Sequence, residues 1–452
     1  MNKSLRTRAR LAWWIAAGVA ALAQVALASV PLADTLSHDV RRLIDSHKFG
    51  KARVGVSIMD GETGEVLAAV SASDPFTPAS NMKILTSGAA LMVLGPDFAF
   101  RTELALVDDR LIVRGSGDPA LADPVVLQQM EPKMTVADVL DALAGAVVQA
   151  AISRVDEVVV DDRVFDREYV HPAWPVDQLN RGYCAEVCGA NFHANILSFF
   201  PRPNPDGAGT PAHYSLEPQA PWIQVDVKAR TVPEGRNSAW VTREKDDNRF
   251  TLRGDVRFPT QVPVEATLHS PGEFFGRLLE HRLTGLGVKV GGQGRAGIRL
   301  ADEHEQFGEG KVLAVVRTPI AQVLQRCNSD SENLYAESLL KKLGNAVTKE
   351  PGSWSNGASV LRMIMTEHLG AEMTAGTTIS DGSGLSRQNL VSPATLARWL
   401  YVLASDPKTR DAFAQSLAKP GVGTLKRRFA ASKLNNEVRG KSGFINGVRC
   451  LS

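Results

Sequence analysis

Between about residues 97 and 266 the chain loses the helical period that runs on either side of it, and this change of pattern limits the fold more than any other feature. Inside that stretch short β-prone runs recur at 102–107, 110–113, 157–160, 222–227 and 250–252, separated by clusters of Gly, Pro, Asn and Asp. Residues 201–207, with three prolines and a glycine, read as a surface loop. Before the stretch, 54–58 alternates, 60–64 carries turn residues and 66–70 returns, which predicts a hairpin. A helix then opens at Pro78-Ala79-Ser80 and runs to about Leu94. After Lys83 it is mostly Ala, Met, Leu and Ile, so it should be buried on most sides. After the stretch, helical periodicity spans 271–286, 319–344, 357–369, 393–404 and 407–417, with proline at most of the starts. The simplest architecture is α/β (α+β): one domain assembled from 29–96 and 267–452, with a β-rich insert over 97–266.

A chain of 452 residues, 44% hydrophobic and 22% charged, excludes fibrous and wholly disordered classes and is long enough for two or three domains. Its formal charge of +2, from 51 basic and 49 acidic residues, argues against a nucleic-acid partner. The N-terminus reads differently from the rest. Lys3, Arg6, Arg8 and Arg10 precede an apolar run over 11–28 broken only by Gln24, and Ala26-Leu27-Ala28 supplies small residues at a cleavage position. This predicts a secretory signal peptide over 1–28, an exported mature chain in the periplasm or extracytoplasmic envelope, and no membrane span after cleavage. An uncleaved anchor is the alternative. Cys184, Cys188, Cys327 and Cys450 lack the paired short gaps of a zinc site; export permits disulfides, but the spacing selects no pairing. His171, His193 and His368 have no metal-ligand spacing and read as core or surface residues. Nothing in the sequence sets an oligomeric state.

Ser80-Asn81-Met82-Lys83 places a hydroxyl and an amine three apart at a helix start, on one face. Serine needs a base to act as a nucleophile, and a buried lysine with a lowered pKa can serve. Ser-x-x-Lys arises easily by chance, and three more copies begin at Ser338, Ser405 and Ser416; only Ser80 sits where a helix begins. Two further elements strengthen the reading. Ser331-Glu332-Asn333 is the one Ser-x-Asn in the chain, and Lys441-Ser442-Gly443 is the one Lys-[Ser/Thr]-Gly, followed by an alternating run over 444–448. The order Ser-x-x-Lys, Ser-x-Asn, Lys-[Ser/Thr]-Gly is that of penicillin-binding proteins and serine β-lactamases. Ser331 can relay a proton between Lys83 and a leaving amine, and the Asn333 amide can hold a substrate peptide group. Lys441 and Ser442 can bind a carboxylate, and the small Gly443 admits substrate along the strand edge.

Ser331 follows Ser80 by 251 residues, the length of the insert selecting within that superfamily. From about Asp34 onward the chain closely resembles the class C penicillin-binding proteins, the D-alanyl-D-alanine carboxypeptidase/endopeptidase family. The resemblance rests on residues 78–83, Gly115-Ser116-Gly117-Asp118-Pro119, Asp161-Asp162-Arg163-Val164-Phe165 and Trp174-Pro175. It continues through Asn333-Leu334-Tyr335-Ala336-Glu337 and Asp381-Gly382-Ser383-Gly384-Leu385-Ser386-Arg387, with Asn389 and Ser392-Pro393. It implies a penicillin-binding transpeptidase-like domain without a cofactor or metal, acting on peptidoglycan stem peptides through an acyl-enzyme on Ser80 and inhibited by β-lactams. Lys83 would be the acylation base, Ser331 the relay, Lys441 and Ser442 the carboxylate clamp, and the N–H groups of Ser80 and Phe444 the oxyanion site. Ser383 and Arg387 match positions lining the site.

Three departures accompany the resemblance. Ser442 stands for the usual threonine and keeps the hydroxyl. Gln178, with Asp177 one position early, stands where an acid recognises the free amino end of the stem peptide. The chain ends at Ser452, short of the further strands and helix of the family, which predicts an unpaired sheet edge and a truncated product. Two other readings fit the same motifs: a β-lactamase or esterase on this scaffold, or a catalytically dead peptidoglycan-binding protein.

Overall fold

The structure, a computed structural model, describes residues 31–47, 49–292, 297–429 and 438–452. The leader expected over 1–28 lies outside the described residues. Among these, no helix is long and apolar enough to cross a membrane.

Two large hydrophobic cores, with a small third around Val107, Ile112, Val159 and Ala301, organise the described residues. The first lies around a five-stranded sheet with the order Ile298–Leu300, Glu157–Asp161, Arg110–Arg114, Ala99–Val107, Lys311–Pro319. Its interior strand Glu157–Asp161, second in this order, pairs in parallel with both neighbours, and Val158, Val159 and Val160 are fully buried. A continuous β-branched run is what a strand covered on both faces requires. The helix Val136–Gln149 packs its buried Val139, Leu140, Leu143 and Val147 into this core. It lies in a stretch whose sequence reads as β-rich. Thr135 closes the N-terminus of that helix in a reciprocal cap with Asp138, a local signal that strand-directed reading passes over. Two three-stranded sheets, 264–267/196–202/213–217 and 240–243/250–253/225–227, complete the region. The helix Pro271–Gly285, expected in the terminal domain, buries Phe274, Phe275, Leu278, Leu279 and Leu283 in this same core, with Leu313 and Val316 against it.

The second core is helical. At its centre Met82–Leu94 has every residue from Met82 to Leu91 buried, as its apolar composition anticipates. Around it pack Asn333–Thr348, Trp354–Leu369 and Pro393–Ser405. Polar groups on the central helix are matched individually: Thr86 Oγ1 donates to the Gly382 carbonyl at 2.8 Å, and Asn328 Nδ2 donates to Ser87 Oγ at 3.0 Å. Gly88 sits under Trp399 and Leu403, where a Cβ would stand 2.7 Å from both side chains. Two hairpins, Val56–Met59 with Val66–Val70 and Ser442–Ile445 with Val448–Leu451, form separate two-stranded sheets. The run over 444–448 that alternates in sequence is therefore not one strand. Asn446-Gly447 turns it, with Gly447 at φ +80°.

The helical period over 319–344 is interrupted where the Ser-x-Asn element falls. Ile320–Gln325 passes into one π-turn, Arg326–Asp330; Ser331 then takes φ +69° and a new helix starts at Asn333. Arg326 holds this break. Its guanidinium donates to the buried Asp123 at 2.9 and 3.2 Å and to Asp330 at 2.8 Å, and Tyr335 donates to the same Asp123 oxygen at 2.6 Å.

Asp118, from the Gly115–Pro119 run, is buried and accepts from Thr318 Oγ1 at 2.5 Å and from the Ala120 N–H at 2.9 Å. Burial pushes its pKa up to about 6 from an ordinary 3.8. Between those values the folded chain keeps a proton that the unfolded chain has released. This contribution to stability is complete below the ordinary value and is lost as pH rises through about 6. An amide at this position can donate to Thr318 and accept from Ala120. Asp118→Asn should therefore melt higher than the parent at alkaline pH, by at most about 3 kcal/mol, with the difference vanishing toward about pH 4. Melting curves across pH check this; a gap independent of pH contradicts it.

Candidate active site

Ser80 stands in a single 3-10 turn, Ala79–Asn81, that feeds directly into the Met82–Leu94 helix. Ala79 is held at φ +45°, a conformation that costs free energy for any residue with a Cβ and persists only when neighbours enforce it. The enforcing contact is the Asp381–Arg387 segment. Gly384 lies so close that a Cβ on it would stand 1.8 Å from the Ala79 carbonyl oxygen.

One turn along, Lys83 is completely buried. Its Nζ donates to Ser80 Oγ at 3.2 Å, to Asn333 Oδ1 at 2.7 Å and to the Ser383 carbonyl at 2.9 Å. The carbonyl can only accept. Asn333 presents its oxygen because its Nδ2 donates to the Tyr183 carbonyl at 2.8 Å. Two N–H bonds of the amine are thus committed, and in the neutral amine the lone pair is left facing the Ser80 hydroxyl. Burial drives the Lys83 pKa down, opposed by Cys327, Glu337, Asp381 and Glu332. This is the geometry and the electrostatic trend that a serine's general base requires.

Lys441 is the second buried amine of the site. Its Nζ donates to Ser331 Oγ at 2.7 Å and to the Ser442 carbonyl at 2.8 Å. Burial first, and Lys83 second, hold its pKa well below the ordinary lysine value. Gly443 follows, pressed against the Ser80 turn: a Cβ there would meet the Pro78 oxygen at 2.9 Å and the Ser80 nitrogen at 3.1 Å. The Phe444 side chain is 64% exposed beside it.

The three motifs thus converge, with contacts that differ in detail from the sequence expectation. Ser331 is bonded to Lys441, not to Lys83. The Asn333 amide is engaged by Lys83 and Tyr183. Ser383 contributes its backbone carbonyl, while its hydroxyl accepts from the Leu385 N–H at 3.2 Å. Arg387 donates to the Asn446 carbonyl and so ties its segment to the turn of the Lys441 hairpin. Gln178 is bonded by Tyr183 Oη at 2.9 Å, which puts it beside the residue that orients Asn333. The four cysteines are unpaired. His193 is buried and His171 packs on Trp174 and Trp354. Of the repeat Ser-x-x-Lys copies, Lys341 is buried but bonded to Asp166 at 2.6 Å, so that pair is structural. Tyr183, Glu337 and Asp381 touch the site or its supports without an assigned role at the sequence level. The signal for the last two lay in the runs that carry the resemblance, as acids beside the Ser-x-Asn and Gly-Ser-Gly elements.

A serine with a buried lysine one turn on, a second Ser–Lys pair, and a motif strand laid against the serine define the penicillin-binding transpeptidase-like class. The fold agrees with penicillin-binding protein 4 (dacB) from Haemophilus influenzae, at a TM-score of 0.69 and 22% identity over 88% of this chain and 85% of that one. Residues 36–452 match the D-Ala-D-Ala carboxypeptidase 3 (S13) family, and the chain belongs to it. It is a serine-type D-Ala-D-Ala carboxypeptidase. It is 30% identical to a D-alanyl-D-alanine carboxypeptidase of Actinomadura sp. (strain R39), over 92% of this chain and 78% of that one. With the D-alanyl-D-alanine carboxypeptidase DacB of Haemophilus influenzae it shares 23% identity over 89% and 82%.

Because Gly443 packs directly on the Ser80 turn and an added Cβ would meet only backbone atoms there, Gly443→Ala should slow acylation of Ser80 by roughly tenfold or more, about 1.4 kcal/mol at the transition state being a factor of ten, and should also lower the melting temperature. Acylation rates beside melting curves check this; an unchanged rate would show that the contact does not shape the site.

Proposed function

We propose that Ser80 cleaves D-alanyl-D-alanine ends or D-alanyl cross-links of peptidoglycan stem peptides in the extracytoplasmic envelope, and that β-lactams acylate the same hydroxyl. The observation that carries this is Lys83: fully buried, 3.2 Å from Ser80 Oγ, with its other two hydrogen bonds fixed on acceptors. Ser80 Oγ attacks the carbonyl carbon as its proton passes to Lys83 Nζ. The oxyanion forms between the N–H groups of Ser80 and Phe444. The carbon–nitrogen bond then breaks as Ser331, bonded to Lys441, gives its hydroxyl proton to the departing amine. Ser331 takes a replacement from the proton that Ser80 gave to the adjoining pair of amines, Lys83 and Lys441. That proton thus leaves with the amine, and the base is free to take one from the attacking water and pass it to Ser80 Oγ. Lys441 and Ser442 bind the terminal carboxylate. Water attacks the ester, returning a proton to Ser80 and releasing the shortened peptide. Gln178 and Asp177 flank the stem-peptide side. The contacts of Pro271–Gly285 and Lys311–Pro319 support a division in which the insert runs to about residue 319 and 320–452 complete the catalytic unit.

Intact mass after incubation with benzylpenicillin tests the reading. The wild type should gain one penicilloyl group, Ser80→Ala none, and a D-alanyl-D-alanine peptide should lose one alanine only with the wild type. Absence of the adduct in folded wild type overturns the reading. Rapid turnover of the penicillin without a lasting adduct indicates a β-lactamase on the same scaffold.

A further inference from the structure

We propose that the buried carboxylates Glu337 and Asp381 are positioning residues that set the base strength of Lys83 through the backbone of Gly382, Ser383 and Gly384. The inference rests on the reading of Lys83 as the acylation base. The turn 381–384 is clamped peptide by peptide. In the peptide joining Gly382 to Ser383, the carbonyl accepts from Thr86 Oγ1 at 2.8 Å, on the Lys83 helix, and the N–H donates to Glu337 Oε1 at 2.8 Å. In the peptide joining Ser383 to Gly384, the carbonyl accepts from Lys83 Nζ at 2.9 Å and the N–H donates to Asp381 Oδ1 at 2.8 Å. Each peptide therefore has a carboxylate on its donor side and the Lys83 helix on its acceptor side, an arrangement in which each anion polarises the carbonyl beyond it. The turn cannot pull away from either neighbour. A Cβ on Gly382 would meet the Ala336 oxygen at 2.6 Å, and one on Gly384 the Ala79 oxygen at 1.8 Å.

The two carboxylates are not equivalent. Asp381 accepts four hydrogen bonds, from Trp174 Nε1 (3.0 Å), Ser386 N (2.6 Å), Gly384 N (2.8 Å) and Asn389 Nδ2 (2.7 Å). Glu337 accepts three, from Trp354 Nε1, Gly382 N and Ser383 N, each at 2.8 Å. Its burial and the neighbouring Asp381 push its pKa up to about 7. The charge of Glu337 therefore changes near neutrality. The other titratable groups facing the cluster are Cys327 and Glu332 from the segment before Asn333, Lys441 from the C-terminal hairpin, Lys341 on Glu337's own helix, and His171 across the Trp174 and Trp354 rings. The charges of Glu337 and Asp381 favour the Lys83 ammonium. Removing the Glu337 charge favours the neutral amine, so the base becomes available at lower pH.

The test is the pH profile of Ser80 acylation by a fluorescent penicillin, measured on the full chain for wild type, Glu337→Gln and Trp354→Phe. In Glu337→Gln the acid limb should move to lower pH by roughly one unit, the scale on which a neighbouring charge shifts a pKa. Trp354→Phe keeps an aromatic ring beside Trp174 and His171, at the cost of a smaller side chain, and withdraws one donor from Glu337. It should move the limb in the same direction by a smaller amount, and it decides the matter if the glutamine variant does not fold. A residue that only braces the turn would change the rate at all pH values and leave the limb in place. Limbs coinciding with wild type in the folded variants overturn the inference while the wild-type adduct upholds the Ser80–Lys83 reading; a wild type acylated at no pH overturns that reading and the inference with it.

Discussion

Two lysines buried side by side are the constraint on which the rest of the structure depends. Lys83 and Lys441 are both without solvent exposure, and each ammonium makes the other less favourable. A buried amine is tolerable only when its hydrogens have acceptors and its charge can be relinquished. The fold supplies fixed acceptors from four separate places: the Ser80 turn, the segment carrying Ser331 and Asn333, the Ser383 carbonyl, and the Ser442 carbonyl of the C-terminal hairpin. None of these segments is adjacent in sequence to all the others, so the chain must close on itself before either lysine has its partners.

That closure explains why strain accumulates around Ser80 and Ser331. Ala79 and Ser331 both occupy the left-handed region, at φ +45° and +69°. Each is held by something rigid: the Gly384 contact in the first case, and in the second the Arg326–Asp123 ion pair with Tyr335. Asp123 comes from the segment between the first sheet's strands and the Val136–Gln149 helix. The insert is thereby joined to the turn that presents Ser331, and it contributes Tyr183 to the orientation of Asn333. The stretch over 97–266, which also adds Phe100, Phe165 and Trp174 to the second core, therefore helps set the positions of two residues of the candidate site.

Much of the site was legible in the sequence because its elements are short and their residue types are chemically required. Ser80, Lys83, Ser331, Asn333, Lys441, Ser442 and Gly443 follow from motif order, and the buried helix after Lys83 follows from its apolar run. The stretch over 97–266 was legible as a change of pattern. Pro271–Gly285 has an ordinary amphipathic period, and its side chains fit the first core as readily as they would a helical bundle. The Val136–Gln149 helix has ordinary helical spacing, with Val136, Val139, Leu140, Leu143 and Val147 buried, but it is short and sits among strand-like runs. The hairpin turn at Asn446-Gly447 was hidden by residues that alternate on both sides of it.

The sequence by itself determined which residue types are available for the proposed chemistry, in what order they occur, and that a long stretch separates Ser80 from Ser331. These are matters of covalent identity and local propensity. Only the tertiary structure decided who bonds to whom: Ser331 to Lys441 and not to Lys83, Asn333 to Lys83, Ser383 through its carbonyl and not its hydroxyl, and Arg387 to the Asn446 turn. The physical reason is that a buried amine takes whichever acceptors close packing brings within reach. Packing among helices and turns distant in the chain is set by the volume and backbone contacts of the whole core, including glycines such as Gly384 and Gly443 that matter only through what lies against them.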